Sequence, residues 1–448
     1  MFQKRDLTQG PVTKSMLLFA LPMILGNLLQ QFYNVADTLI VGQFLGATAL
    51  AAVGSSYTLM TFLTSILLGM CMGSGAVFSI RFGEGDRARL KNSLSLSFLM
   101  IAGFTVVMNL AVFLLIDPMM GLLQVPEEVY PLMRSYLWVI FWGIGGTFLY
   151  NYFACLLRAI GNSATPLLFL GVSAVLNIAL DLVFVVVVPW GVAGAAFATS
   201  LSQWVSGLGL LAFTLAKMPQ LRPSRQDVRW EKDRVLEIAR FSLLTCVQQS
   251  VMNFGILMVQ GLVNSFGTVV MAAFAAAVKI DSFAYMPVQD FGNAFSTFIA
   301  QNYGAKRMDR VGRGIKSAAV SSVVFALLIS VLVFAFAKPL LLLFVKPEET
   351  EILAVGVQYL RIEGAFYFGI GILFLLYGLY RAIERPGMSL VLTVISLGTR
   401  VALAYILSAI PAIGVVGIWW SVPIGWALAD VTGVLYYKKL RGQLAGRP

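Results

Sequence analysis

Leu167–Val188 reads LLFLGVSAVLNIALDLVFVVVV, 22 residues carrying a single ionisable side chain, Asp181. A helix crosses the bilayer core with roughly 20 apolar residues, whereas a membrane β-strand shows about 10 alternating ones. This run is long and does not alternate, so it predicts a spanning helix. The same texture recurs at Leu94–Ile116, Ala318–Ala337 and Leu390–Ile410. Of 448 residues, 59% are hydrophobic and 12% charged, with mean hydropathy +0.84. Soluble domains carry about 25% charged residues. Half that charge cannot clothe a water-facing surface, which excludes soluble enzymes, disordered chains and nucleic-acid binders.

Working outward, apolar runs predict 12 spans, at 15–40, 48–79, 92–116, 131–157, 164–188, 192–216, 237–263, 269–301, 314–337, 352–380, 388–410 and 413–437. The expected fold is an all-α polytopic membrane protein with short loops and no room for a soluble catalytic domain. The first run contains Pro22 and has no small-residue cleavage pattern, so it reads as a true span and not a signal peptide. The net charge of +11 reflects loops on one side: alternate connections and the two terminal segments hold 26 of the 32 Lys and Arg residues. Basic loops stay cytoplasmic, which predicts a multi-pass protein of the cell membrane with both termini in the cytoplasm. There is no histidine, and Cys71, Cys155 and Cys246 lie within apolar runs as packing thiols. The Walker phosphate loop is absent, so ATP hydrolysis is not expected of this chain. Gly83-Glu84-Gly85-Asp86 reads as a loop between spans 2 and 3.

An internal repeat is visible. Asp117-Pro118 returns as Lys338-Pro339, and Val125-Pro126-Glu127-Glu128 as Lys346-Pro347-Glu348-Glu349, both 221 residues on. Arg158-Ala159-Ile160 returns as Arg381-Ala382-Ile383, and Gly191-Val192-x-Gly194 as Gly414-Val415-x-Gly417, 223 residues on. The chain is read as a six-helix bundle over 1–216, a basic cytoplasmic linker over 217–236 and a second bundle over 237–448. Six spans per copy bring both copies in from the same side, a parallel repeat of the kind found in secondary transporters, enclosing a central cleft.

Ionisable groups inside spans are expensive and are functional candidates by default. Asp37 lies in span 1 with Asn27, Gln30, Asn34 and Thr38, all within roughly a third of the helix circumference at about 100° per residue. Asn177 and Asp181 share a face of span 5. Span 4 adds Asn151, and span 6 adds Thr199 and Gln203. If these spans face one another, two carboxylates sit among amide and hydroxyl oxygens. That environment suits a small hard cation, or a shared proton, since two close acids in low dielectric do not both ionise. The second copy does not repeat the acids: Asp37 corresponds to Met258, Asn177 to Arg400 and Asp181 to Ala404. Span 7 keeps a neutral stripe with Gln249 and Asn253. In the second copy Lys279, Asp281, Asp290 and Glu363 stand out. They either line a substrate cavity, as proposed for Lys279 and Asp290 beside Asn34, Gln203, Gln249 and Asn253, or pair internally with neighbours such as Arg400. Asp430 reads as a packing group.

Several strings taken in order resemble the multidrug and toxic compound extrusion (MATE) family over nearly the whole chain. They are Ala20-Leu21-Pro22 leading to Asp37, Val41-Gly42-x-x-Leu45-Gly46, Gln301-Asn302-Tyr303-Gly304-Ala305, Arg158-Ala159-Ile160-Gly161 and Gly191-Val192-x-Gly194-Ala195-Ala196. The resemblance implies an antiporter that exports bulky, often cationic lipophilic compounds against inward Na⁺ or H⁺. It implies an ion-coupling set at Asp37, Asp181, Asn177, Asn151 and Thr199, with Na⁺ held by Asp37, Asn177 and Asp181 if sodium is the ion. Family members that place acids in spans 7 and 10 are matched poorly, since span 7 here offers Gln248 and Gln249. No cofactor beyond the coupling ion, no nucleic acid and no obligate protein partner is expected, and the chain is read as a monomer in the bilayer. The rival is a lipid-linked saccharide flippase of the same broad superfamily, which would need Lys279 and Arg400 for a pyrophosphate. An intramembrane enzyme would need a nucleophile–base pair, and none is apparent.

Overall fold

The computed structural model describes residues 6–122, 125–222, 224 and 227–445. Lys4, Arg5, Arg225 and Arg447 of the basic loop set lie outside the described residues. Within them all regular structure is helical, and there is no strand. The long helices of the first half are α1 (Val12–Leu45), α2 (Ala47–Glu84) and α3 (Arg87–Leu114), followed by a short α4 (Ile116–Leu122). Then come α5 (Tyr130–Ile140), α6 (Ile144–Ala159), α7 (Ala164–Asp181) and α8 (Gly191–Lys217). The second half holds α9 (Lys232–Asn264), α10 (Thr268–Gly304), α11 (Met308–Ala335) and the short α12 (Ala337–Leu341). It ends with α13 (Thr350–Gly364), α14 (Tyr367–Ala382), α15 (Pro386–Ser408) and α16 (Val416–Ala445). Eleven helices among the described residues are long and apolar enough to span, or 12 when α13 and α14, bent by 50° at their junction, count as one. The exposed faces are apolar: Val106, Val107, Leu110 and Leu114 on α3, and Val324, Leu328, Val331 and Leu332 on α11, stand outward. Such faces suit hydrocarbon and not water.

The duplication shows in the breaks as well as in the sequence. Span 4 is interrupted by a 3₁₀ turn at Phe141–Gly143 and span 10 at the junction of α13 and α14, at matched positions. The short α4 and α12 also match. The turn between α2 and α3 is tighter than the expected loop. Gly83 and Glu84 stay helical, and the corner is Gly85 and Asp86 alone. Gly85 takes the left-handed conformation (φ +75°), which costs a residue without Cβ little. The Asp86 carboxylate then caps α3 by accepting from Arg89 N–H at 2.9 Å. Beyond α3, Asp117 accepts from Tyr130 Oη (2.7 Å) and Arg134 Nε (2.8 Å), tying α4 to α5. These bonds, Arg134 first, hold its carboxyl below the ordinary aspartate value.

The chain forms two compact units: Leu21–Cys246 belongs to the first, and Leu7–Ala20 joins residues from Val247 onward in the second. The division therefore falls inside α9 and not in the linker, and each repeat's leading helix begins in the other repeat's unit. Local packing gives the reason. In the first unit Gly69 and Gly73 of α2 admit α9 so closely that a Cβ on Gly73 would stand 2.3 Å from Phe241 O. Ser74 and Ser242 share a hydrogen bond at 2.9 Å beside it. Small residues spaced four apart are the usual means of bringing membrane helices together. In the second unit the Arg310 guanidinium gathers the carbonyls of Gly10 (2.8 Å), Gln9 (3.0 Å) and Leu7 (3.1 Å), while its Nε donates to Asn302 Oδ1 (3.0 Å). Asn302 in turn donates to Leu7 O at 3.1 Å. The sequence carried no sign of this strap.

Arg310→Met leaves several buried acceptors without a donor and is expected to cost on the order of 3 kcal/mol. Arg313→Met, which removes only the exposed pair with Asp309, is expected to cost less than about 1 kcal/mol. Thermal unfolding of the purified variants in detergent measures both.

Candidate functional site

In the first unit, the carboxyls of Asp37 on α1 and Asp181 at the end of α7 are hydrogen-bonding neighbours. Asp181 is fully buried and Asn177 is 2% exposed. Asn177 stands one turn before Asp181. Its amide lies 3.2 Å from Asp181 Oδ2 and 3.2 Å from Thr199 Oγ1, donating to the carboxylate and accepting from the hydroxyl. The single Thr199 hydroxyl proton can instead go to Ala195 O at 3.1 Å on its own helix, α8. Three helices thus bring together four residues that the sequence singles out: Asp37, Asn177, Asp181 and Thr199. The Oδ1 atoms of both aspartates are buried without a hydrogen-bond partner. A hydrogen bond between two carboxyls needs one proton between them, and further unpaired oxygens leave room for a hard cation or a second proton.

Two tyrosines lie within electrostatic reach of the pair. Tyr33, one turn before Asp37 on α1, and Tyr136 on α5 both interact with Asp37 and Asp181. Spacing could have found Tyr33, which lies four residues before Asp37. Nothing in the sequence marks Tyr136, one aromatic among many. Asn151 and Gln203 take a different place. Asn151 donates to Thr147 O (2.9 Å), and Thr147 Oγ1 donates to Gln203 Oε1 (2.7 Å), so these form a polar seam between α6 and α8. Asn34 offers its carbonyl to Thr38 Oγ1 at 2.8 Å.

The second unit groups its charges differently. Asp281 on α10 accepts from Tyr367 Oη (2.5 Å) and Tyr359 Oη (3.4 Å) and lies in hydrogen-bonding contact with Glu363 on α13. Arg400 on α15 acts on both carboxyls as their positive neighbour. Asp281 and Glu363 are almost wholly buried. The charge on Arg400 is felt by Asp281 and Glu363, whose direct hydrogen bonds are to each other and to Tyr359 and Tyr367. Lys279 and Asp290 do not meet on one surface: Lys279 is exposed with its ammonium 5.8 Å from the Phe344 ring, and Asp290 is buried. Gln249 and Asn253 bond each other along α9, amide to carbonyl, at 3.1 Å. Among the described residues no group of three or more His, Cys, Asp or Glu could hold a metal ion.

The family model MatE matches the chain twice, over residues 22–183 and 244–406, once per repeat. The chain is 31% identical over 97% of its length to the probable multidrug resistance protein YpnP of Bacillus subtilis (strain 168), covering 96% of that protein. It is 25% identical to a protein of Shewanella oneidensis named as an FAD transporter, over 95% of this chain and 94% of that one. A crystal structure of a MATE protein in complex with MaL6 superposes over the whole of both chains with a TM-score of 0.93 at 22% identity.

Removing the guanidinium with Arg400→Met strands two buried carboxyls and is expected to lower stability by about 3–5 kcal/mol. Adding Glu363→Gln removes one acid and is expected to restore most of that loss, read as thermal unfolding of the single and double variants. A double variant no more stable than Arg400→Met would show that the three groups do not balance one another.

Proposed function

The chain belongs to the MATE family of multi-pass membrane transporters, and we propose that it is a secondary antiporter that exports bulky, often cationic lipophilic compounds in exchange for Na⁺ or H⁺. One observation carries the assignment of coupling. The first unit sets a buried carboxyl, Asp181, in contact with a half-buried one, Asp37, each with an unpaired buried oxygen, at positions where the second repeat has Met258 and Ala404. Uncompensated acids in a membrane interior are costly, and a cycle that repeatedly loads and empties them gives a reason to keep them.

In this reading Asp37 and Asp181 together bind the ion. A proton joins the carboxyl pair, or Na⁺ takes their free oxygens together with the oxygens of Asn177 and Thr199. Asn177 orients Asp181 by its amide, and the hydroxyls of Tyr33 and Tyr136 supply further dipoles. Loading removes negative charge from the site, and exchange follows if ion and substrate favour different conformations. The named relatives support export of drugs as the cargo, and the protein acts as a monomer in the cell membrane with both termini in the cytoplasm. The flippase alternative is less favoured, because the negative charge of Asp281 and Glu363 near Arg400 would oppose a pyrophosphate there.

Efflux of a fluorescent lipophilic cation from proteoliposomes, under separately imposed Na⁺ and proton gradients, tests this. Export is expected to follow one gradient and to fall roughly tenfold or more in Asp37→Asn and in Asp181→Asn. Undiminished gradient-driven export by Asp37→Asn overturns the assignment of the site.

A further inference from the structure

Span 5 does not continue as an α-helix beyond Asp181. The next six residues, Leu182–Val187, form a turn of π-helix, closed by Val188 N–H donating to Val183 O at 2.7 Å. A π-turn holds one more residue per turn than an α-turn, packs less well, and persists where its surroundings hold it. Here the surroundings are specific. Pro189 has no N–H to continue the ladder, and Trp190 N–H bonds Phe184 O instead, at 3.0 Å. The Phe184 ring stacks on Trp190 with centroids 4.7 Å apart and meets Phe197 edge-on at 5.2 Å. Gly194 of α8 lies so near that a Cβ there would stand 2.6 Å from Phe184 O.

The duplication supplies an internal comparison. The matching stretch of span 11 stays α-helical to Ser408, and it has Ala404 where span 5 has Asp181. Gly417, the counterpart of Gly194, is equally crowded: its Cβ would stand 2.5 Å from Leu407 Cβ. Close packing at the matched glycine therefore does not by itself produce a π-turn. The acid and the π-turn occur together in one repeat and are both missing from the other.

We propose that the π-turn Leu182–Val187, pinned through Phe184 by Gly194 and Trp190, is a positioning device that sets the ion affinity of Asp181. Asn177 fixes the carboxyl from the preceding α-turn, and the π-turn fixes it from the following side. Removing the extra residue rotates one end of the span against the other by about 100°. Either the contacts of Asn177 and Asp181 or the Phe184 clamp must then give way. The inference rests on ion coupling at Asp37 and Asp181.

The experiment uses the full-length protein in proteoliposomes and measures two half-saturations, one for the coupling ion (external Na⁺ titration, or pH under a proton gradient) and one for the fluorescent cation. Deleting Val186, an exposed residue, returns the turn to α register. It is expected to shift ion half-saturation by roughly tenfold or more in concentration, with that of the cation unchanged. Gly194→Ala, which crowds Phe184 without altering chain length, is expected to shift ion half-saturation in the same way, and it decides the question if the deletion fails to fold. Gly417→Ala is expected to lower thermal stability comparably while ion half-saturation stays at the wild-type value. Wild-type ion half-saturation in Gly194→Ala, or an equal shift in Gly417→Ala, overturns the proposal. Gradient-driven export that survives both Asp37→Asn and Asp181→Asn overturns its premise instead.

Discussion

In hydrocarbon no water is at hand to satisfy a peptide group or a charged side chain, so each polar group must find its partner within the protein. For the backbone this leaves the helix, and the described residues are helical from α1 to α16. For side chains it leaves small, closed groups. Arg310 takes three carbonyls of the N-terminal strap, Tyr152 donates to Leu94 O (2.7 Å), and Asp281 collects two tyrosine hydroxyls. Against that background acids that keep a buried oxygen unpaired stand out: Asp37 and Asp181 in the first unit, Glu363 and Asp430 in the second.

The same constraint explains how one duplicated scaffold holds two kinds of polar cluster. Asn177 and Arg400 occupy matched positions. In the first unit the neutral amide hydrogen-bonds an acid on its own helix and adds no positive charge. In the second, a guanidinium stands against two acids from other helices. The residues of one cluster include two acids and no positive side chain, and those of the other include two acids with a guanidinium nearby. The two clusters thus differ in charge although the chain repeats one helical plan around them.

Close helix approach does the rest of the positioning. Gly69 and Gly73 let α9 cross α2, and Gly194 lets α8 reach the carbonyl of Phe184. A methyl group at any of these places would meet backbone atoms, whereas Gly103 on the outer face of α3 has open space around it. Glycine therefore matters where two helices, or a helix and a π-turn, share a surface, and where the chain turns through a left-handed conformation, as at Gly85.

By itself the sequence determined the class of the fold, the spans and the duplication. Apolar length, loop charge and recurring residue pairs are all local properties read along the chain. It also marked Asp37, Asn177, Asp181 and Thr199, because a polar residue in a span is conspicuous and helical spacing says which ones share a face. Tertiary structure decided which of the marked residues meet. It placed Asn151 and Gln203 on the α6–α8 seam, put Tyr136 within the electrostatic reach of the carboxyls, joined Asp281 to Glu363, and gave Leu7–Ala20 to the second unit. It alone revealed the π-turn, since Val185–Val188 reads as an apolar span in any helical register. Periodicity reports the face a residue occupies on its own helix; which helix that face meets depends on packing between segments far apart in the chain.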